Sequence, residues 1–174
     1  EQHSMTQKEI LDRVQYHCDL RGLSKWTTQG YYGDAKRFQE FYGKPADELG
    51  IAHVQGYLHH QFKVKNRTSG TVNRINSGLR FLYNVALNQP LNLHEIPCLR
   101  NRRSFPDLLT REEILALIGA CDNLRDKAMF MTAYGAGLRA GEIVRLRISD
   151  IDSVNMQIFI RNGKGGKDRF ALLS

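Results

Sequence analysis

Apolar residues recur at helical spacing through the first ninety positions. Ile10, Leu11, Val14 and Cys18 mark one face of a helix that Thr6-Gln7-Lys8-Glu9 opens as a capping box and Gly22 closes. A second helix is predicted from Ser24 to Tyr42, with Tyr31, Ala35, Phe38 and Phe41/Tyr42 inward. Gly30 and Gly33 weaken its middle, because glycine is a poor helix former. Gly43 and Pro45 mark a loop, and a third helix covers Ile51 to Phe62. The fourth runs from Thr68 to Asn88 on the stripe Val72, Ile75, Leu79, Leu82 and Ala86. Its opposite face carries Arg67, Thr71, Arg74 and Asn73/Ser77, and the short polar groups there let a backbone phosphate come close.

The pattern breaks after position 90. Pro90, Pro97 and Pro106 interrupt any helix, and Arg100-Asn101-Arg102-Arg103 is a charge run, so residues 91–106 read as a basic linker between units 5–90 and 107–174. Periodicity resumes with a capping box at Thr110-Arg111-Glu112-Glu113 and a helix carrying Ile114, Leu115, Leu117 and Ile118. Another helix spans Leu124 to Tyr134, glycines 135 and 137 end it, and a short helix follows from Arg139 to Arg145. After Asp150 the segments 157–161 and 169–173 read as strands. Asn162 to Asp168 supplies the turn residues of a hairpin between them. The predicted class is mainly α with a small β part, ending in an antiparallel hairpin.

Composition narrows the partners. The 174 residues fit one large domain or two small ones, and 41% hydrophobic residues suffice for a core. The formal charge is +7, with twelve basic against eight acidic residues up to position 90 and thirteen against ten beyond it. Basicity spread over both halves favours a polyanion. Cys18, Cys98 and Cys121 are far apart and form no CxxC pair, which argues against a zinc site or disulfide framework and for thiols in a reducing cytoplasm. There is no apolar run near 18 residues and no signal peptide. Residues 1–4, ahead of Met5, read as a leftover of cloning.

Two stretches carry candidate chemistry. Arg139 follows glycines 135 and 137, which allow a ligand close to the backbone, and its planar fork can bond two non-bridging phosphate oxygens. Glu142, one turn on, can orient it or simply pair with it at the surface. Lys164 and Lys167 sit on a glycine-rich tip, either as proton donor and phosphate contact or as solvated hairpin residues. A nucleotide-binding loop fits poorly, since no Ser or Thr follows the lysine. His59-His60 lies on a helix and is not read as a metal site.

Together, Gly137-Leu138-Arg139-Ala140-Gly141-Glu142-Ile143, Leu146, Ser149-Asp150-Ile151-Asp152 and Gly163-Lys164-Gly165-Gly166-Lys167-Asp168-Arg169 resemble the tyrosine recombinase (phage integrase) family. Gly22-Leu23-Ser24, Thr27, Tyr31 and Phe38/Phe41 fall where that family's helical core-binding domain has similar residues. The resemblance implies a four-to-five-helix SAM-like core-binding domain, then an incomplete α+β catalytic domain. It implies that Arg139 clamps the scissile phosphate, Glu142 supports it and Lys164 protonates the leaving 5′ oxygen, with no metal and no cofactor. It implies double-stranded DNA as partner, with contacts from Lys63, Lys65, Arg67, Thr71, Arg74, Arg100, Arg102, Arg103 and Lys167, and self-association as in recombinase assemblies. A bacterial, nucleoid-associated location and a mobile genetic element follow from the same likeness. The family's nucleophilic tyrosine comes after the hairpin, whereas tyrosines 16, 31, 32, 42, 57, 83 and 134 all precede Lys164. The chain alone is therefore expected to be inactive; Tyr134 reads as core or support. The rival readings are a truncated, non-catalytic DNA-binding or self-associating module, and a helical transcription regulator.

Overall fold

The computed structural model describes residues 4–92, 95–100, 106–163 and 165–173. The chain divides into two units, 1–104 and 105–174. The architecture is mainly α with one small antiparallel sheet, as the periodicity predicts. Among the described residues, no helix is long and apolar enough to cross a membrane.

The first unit is built from α1 (Gln7–Leu20), α2 (Lys25–Tyr42), α3 (Ile51–Lys63) and α4 (Ser69–Phe81). Each start except that of α3 is fixed by a side chain that satisfies an orphan backbone N–H. Thr6 and Glu9 form the expected reciprocal box, and Ser24 and Thr68 accept from the N–H groups of Thr27 and Thr71. The fourth helix is predicted to run to Asn88; its last turns instead widen into a π-helical segment, Leu82–Ala86. Ile10, Val14, Ala35, Phe38, Val54, Leu79 and Leu82 are wholly buried in the core. Phe41, predicted inward, is exposed.

Two buried polar side chains tie the loop between α2 and α3 to this core. Gln39 accepts from the Ala46 N–H (3.1 Å) and donates to the Gln7 carbonyl (3.3 Å). The Tyr83 hydroxyl lies 2.9 Å from the carbonyl oxygen of Ala46 and 2.7 Å from that of Leu49. Burial pushes the Tyr83 phenol far above its ordinary range, with Asp47 and Tyr42 adding to the shift, so it remains a donor.

Part of the stretch read as a linker is fastened to the first unit. Ile96 is buried in the core. Asn73 donates to the Leu99 carbonyl (2.9 Å) and accepts from the Leu99 N–H (2.8 Å), Arg80 donates to the Ile96 carbonyl (2.5 Å), and Gln55 donates to that of Glu95 (2.7 Å). The physical reason is the polar face of α4, which offers fixed side-chain donors and an acceptor to a strandless backbone that needs them.

The second unit comprises α5 (Arg111–Gly119), α6 (Leu124–Gly135), α7 (Ala140–Ile143), a 3₁₀ turn (Ile148–Asp150) and the strands β1 (Ile151–Asp152), β2 (Gln157–Ile160) and β3 (Arg169–Leu172). The sheet order is β1-β2-β3, antiparallel, with Phe159 opposite Phe170. The hairpin lies where alternation predicts it; β1 is too short for its pattern to stand out. The helix expected over Arg139–Arg145 is the four-residue α7. Of the apolar stripe on α5 only Ile118 is buried, and α6 buries no residue.

Replacing Tyr83 by Phe removes the hydroxyl shared by the two carbonyls, of which that of Ala46 keeps the Leu49 N–H (3.1 Å). Tyr83→Phe should lower unfolding free energy by about 1–3 kcal/mol. The check is a urea titration in which the midpoint falls and the slope holds; an unmoved midpoint would show the hydroxyl to be idle.

Candidate nucleic-acid interface

The site around Arg139 begins with the end of α6. Gly137 takes the left-handed conformation (φ 60°), which lets the Leu138 N–H donate back to the Ala133 carbonyl (2.9 Å). The chain then leaves extended, and Arg139 becomes the N-cap of α7. Glu142, at the third helical position, accepts from the Arg139 N–H (2.9 Å) and from its guanidinium (3.0 Å). Its other oxygen contact is Arg169 of β3, at 2.8 Å. Glu142 is 5% exposed, whereas the Arg139 side chain is 60% exposed. The carboxylate is thus buried and charged while the arginine it holds faces solvent, which sets aside a loose surface pair. The Arg139 N–H bond, then the Arg139 guanidinium and nearby Arg169, hold the Glu142 carboxyl below its ordinary value of 4.5 against the opposing effect of burial.

The same carboxylate reaches the hairpin. A Cβ at Gly163 would lie 3.5 Å from Glu142 Oε1 and only 2.8 Å from the Lys167 carbonyl oxygen, so the hairpin root closes here without a side chain. The Gly163 N–H donates to that carbonyl (2.9 Å), and the Asn162 N–H donates to Asp168 (2.8 Å). Lys164 lies outside the described residues; Lys167 is exposed on the same loop.

Asp150 repeats the arrangement nearby. It caps the 3₁₀ turn by accepting from the Arg147 N–H (3.1 Å), is 5% exposed, and binds the Arg161 guanidinium of the hairpin. Glu142, Arg145, Leu146, Arg147, Asp150 and Arg161 share a cavity of about 260 Å³ with their neighbours on β2. Two buried carboxylates therefore fasten the sheet to the α7 segment through arginines from the hairpin.

In the first unit, Lys63 ends α3, Lys65 and Arg67 are exposed in the connector, and Thr71 lies in the first turn of α4. This connector turns tightly, with Asn66 at φ 50° and the Arg67 N–H bonded to the Gln61 carbonyl. Arg74 is half-exposed and bonded to Asp34 of α2. Arg100 is exposed one residue beyond Leu99, which Asn73 holds. Arg102 and Arg103 lie outside the described residues. The sequence patterns single out neither Arg37 nor Arg161, and Asp150 and Arg169 enter only as members of the motif, without a role of their own. Asp34 carries a signal of its own, as a carboxylate at an apolar-stripe position between Tyr31 and Phe38. Among the described residues, no three His, Cys, Asp or Glu side chains gather as metal ligands would.

Residues 10–93 match the family described as "Phage integrase, N-terminal SAM-like domain", and residues 107–174 match "Phage integrase family". The chain belongs to the phage integrase family, the tyrosine recombinases. It is 32% identical over 180 residues to the tyrosine recombinase XerA of Pyrococcus horikoshii, covering 100% of this chain and 59% of that protein. The fold is shared with a lambda integrase tetramer bound to a Holliday junction (TM-score 0.72, 18% identity, 98% of this chain and 50% of that one). It is shared equally with XerH bound to palindromic difH substrate in a post-cleavage complex (TM-score 0.72, 16% identity, 100% and 67%). The chain thus spans little more than half the length of the curated relative.

Because the carboxyl of Glu142 is held below 4.5, the stability it contributes is fully present above that pH and is lost as pH falls through the depressed value. Thermal melts from about pH 7 down to about pH 3 should show Glu142→Gln narrowing its deficit against the parent as acid is added. Parallel curves would remove Glu142 from the acid transition.

Proposed function

We propose that this chain binds duplex DNA and supplies part of the phosphoryl-transfer site of a strand-exchange recombinase. The observation that carries the reading is the solvent-facing Arg139 guanidinium held on a buried carboxylate that also holds Arg169. A guanidinium fixed at one end keeps its remaining N–H groups aligned for two phosphate oxygens. In the reaction, a tyrosine hydroxyl attacks the phosphorus and the bond to the 5′ oxygen breaks, leaving a 3′-phosphotyrosyl link. Arg139 neutralises charge that builds on the non-bridging oxygens, and Lys164 gives its proton to the departing 5′ oxygen. Glu142 keeps Arg139 in place. No tyrosine follows Lys164 in these 174 residues, so this stretch alone forms no covalent link to DNA. Lys63, Lys65, Arg67, Thr71, Arg74, Arg100, Arg102, Arg103 and Lys167 bind backbone phosphates. On this reading residues 5–90, with the segment 95–100 fastened to them, form a core-binding domain, and residues 107–174 a catalytic portion. The chain then works on DNA in the cytoplasm, at the nucleoid.

Self-association is the second reading. It rests on the apolar side chains that α6 leaves exposed, Leu124, Phe130, Met131 and Tyr134.

Binding to duplex DNA should be strongly salt-dependent. With about five or more phosphates contacted, affinity should fall by orders of magnitude between about 50 and 200 mM salt. Anisotropy titrations at several salt concentrations measure this, and no binding at low salt would end the proposal.

Substitution separates the two site residues. Lys164→Ala should change unfolding free energy by less than about 1 kcal/mol, whereas Arg139→Ala takes a guanidinium from the buried Glu142 carboxylate, which keeps Arg169, and should lower it by about 1–3 kcal/mol. In the complete recombinase, each should slow cleavage by about 10²–10³-fold. A 5′-bridging phosphorothiolate, whose leaving group needs no proton, should rescue Lys164→Ala and leave Arg139→Ala slow. Unchanged cleavage by Lys164→Ala, or equal rescue of both, would remove the proton-donor role.

A further inference from the structure

We infer that Asp34 positions Arg37 and Arg74 as a paired guanidinium clamp on the sugar–phosphate backbone of duplex DNA. The inference rests on the DNA-binding reading above and adds two residues to it.

Asp34 is wholly buried on α2, between Tyr31 and Phe38, where an apolar side chain is expected. A buried carboxylate needs charged partners. Arg74 of α4 binds it through both guanidinium branches, Nη1 at 2.8 Å from Oδ2 and Nη2 at 3.0 Å from Oδ1. That pair already balances the charge. Arg37 adds a second cation, with Nη2 at 2.8 Å from Oδ1, so the triad carries a net positive charge. Both arginine side chains stay open to solvent, 55% exposed for Arg37 and 50% for Arg74. Among the described residues neither guanidinium meets another acceptor, and each keeps unused N–H donors of its five.

The surrounding backbone is shaped around these groups. A Cβ at Gly33 would sit 3.0 Å from Arg37 Nη1 and 3.2 Å from Nη2. One at Gly30 would sit 3.6 Å from Arg74 Nη1, and one at Gly78 only 2.6 Å from Asp34 Oδ2. Gly33 and Gly78, inside helices where alanine is the better helix former, thus lie where the Arg37 guanidinium and the carboxylate pass, while at Gly30 a Cβ would meet Arg74 at ordinary contact distance. The arginines rest against bare helix, held at one end, with their free edges outward. Donors fixed in this way lose little freedom on meeting a phosphate. A plain helix-to-helix ion pair would need Arg74 alone.

The test is the affinity of the full chain for a mixed-sequence duplex, followed by anisotropy across a salt series, with a melting curve for each variant. Arg37→Gln and Arg74→Gln should each weaken binding and reduce the log–log salt slope by about one. Lys36→Gln removes the same charge from the same helix and should leave the slope unchanged. Asp34→Asn supplies a test of sign. It makes the chain more positive, so charge alone predicts tighter binding, whereas loss of positioning predicts weaker binding. Should Asp34→Asn fail to fold, Gly33→Ala decides. It keeps every charge, favours the helix, and displaces Arg37, so binding should weaken while the melting temperature holds or rises. Parental or tighter binding by Gly33→Ala, or unchanged slopes for both glutamine variants, overturns the clamp while DNA binding stands. A parent chain that binds no duplex at low salt overturns the DNA reading as well.

Discussion

A buried carboxylate must be surrounded by donors or give up its charge, and that requirement organises both units of this chain. Asp34, Glu142 and Asp150 are each 5% exposed or less, and each is held by arginines that reach solvent. The carboxylates lock one element to another: α2 to α4, α7 to β3, the 3₁₀ turn to the hairpin. Their partners cannot be withdrawn without leaving a buried negative charge, so the guanidinia stay where the backbone puts them. Structure and the proposed chemistry therefore draw on the same ion pairs. Arg139 and Arg74 are surface cations by exposure and core residues by attachment.

Much of this was readable along the chain because it is local. Thr6, Ser24 and Thr110 sit one residue ahead of their helices, and the side chain–backbone bonds they make span three positions. The Arg139–Glu142 contact follows from the same short spacing. The cross-strand pairing of 157–160 with 169–172 is set by alternation and by the turn residues between them. What periodicity could not give is the set of contacts whose partners lie far apart. Asp34 and Arg74 are forty positions apart, Glu142 and Arg169 twenty-seven, and Asn73 and Leu99 twenty-six. An arginine has many acceptors within reach of its stem, and only the packed helices choose one.

The polar face of α4 illustrates the difference. In the sequence it reads as a surface for a ligand. In the fold, Asn73 is spent on the backbone of Leu99 and Ser77 on the carbonyl of Asn73, while Arg74 divides itself between Asp34 and solvent. Intrinsic polarity marks a residue as needing partners; it does not say whether those partners are internal. The glycines of α2 carry the opposite lesson. They weaken a helix in isolation, and here Gly33 leaves room for the Arg37 guanidinium.

The sparse burial in the second unit has a thermodynamic consequence. Among its described residues, only Ile118, Ile158 and Ile160 are buried apolar side chains, and α6 contributes none. A unit that removes so little apolar surface from water exposes little on unfolding, so its heat-capacity change and denaturant sensitivity should both be small. Any molecule that covers α6 or ties together the arginines of the hairpin then contributes a large share of the unit's stability by mass action. Its melting temperature becomes a report on occupancy, rising with the logarithm of the free concentration of whatever binds.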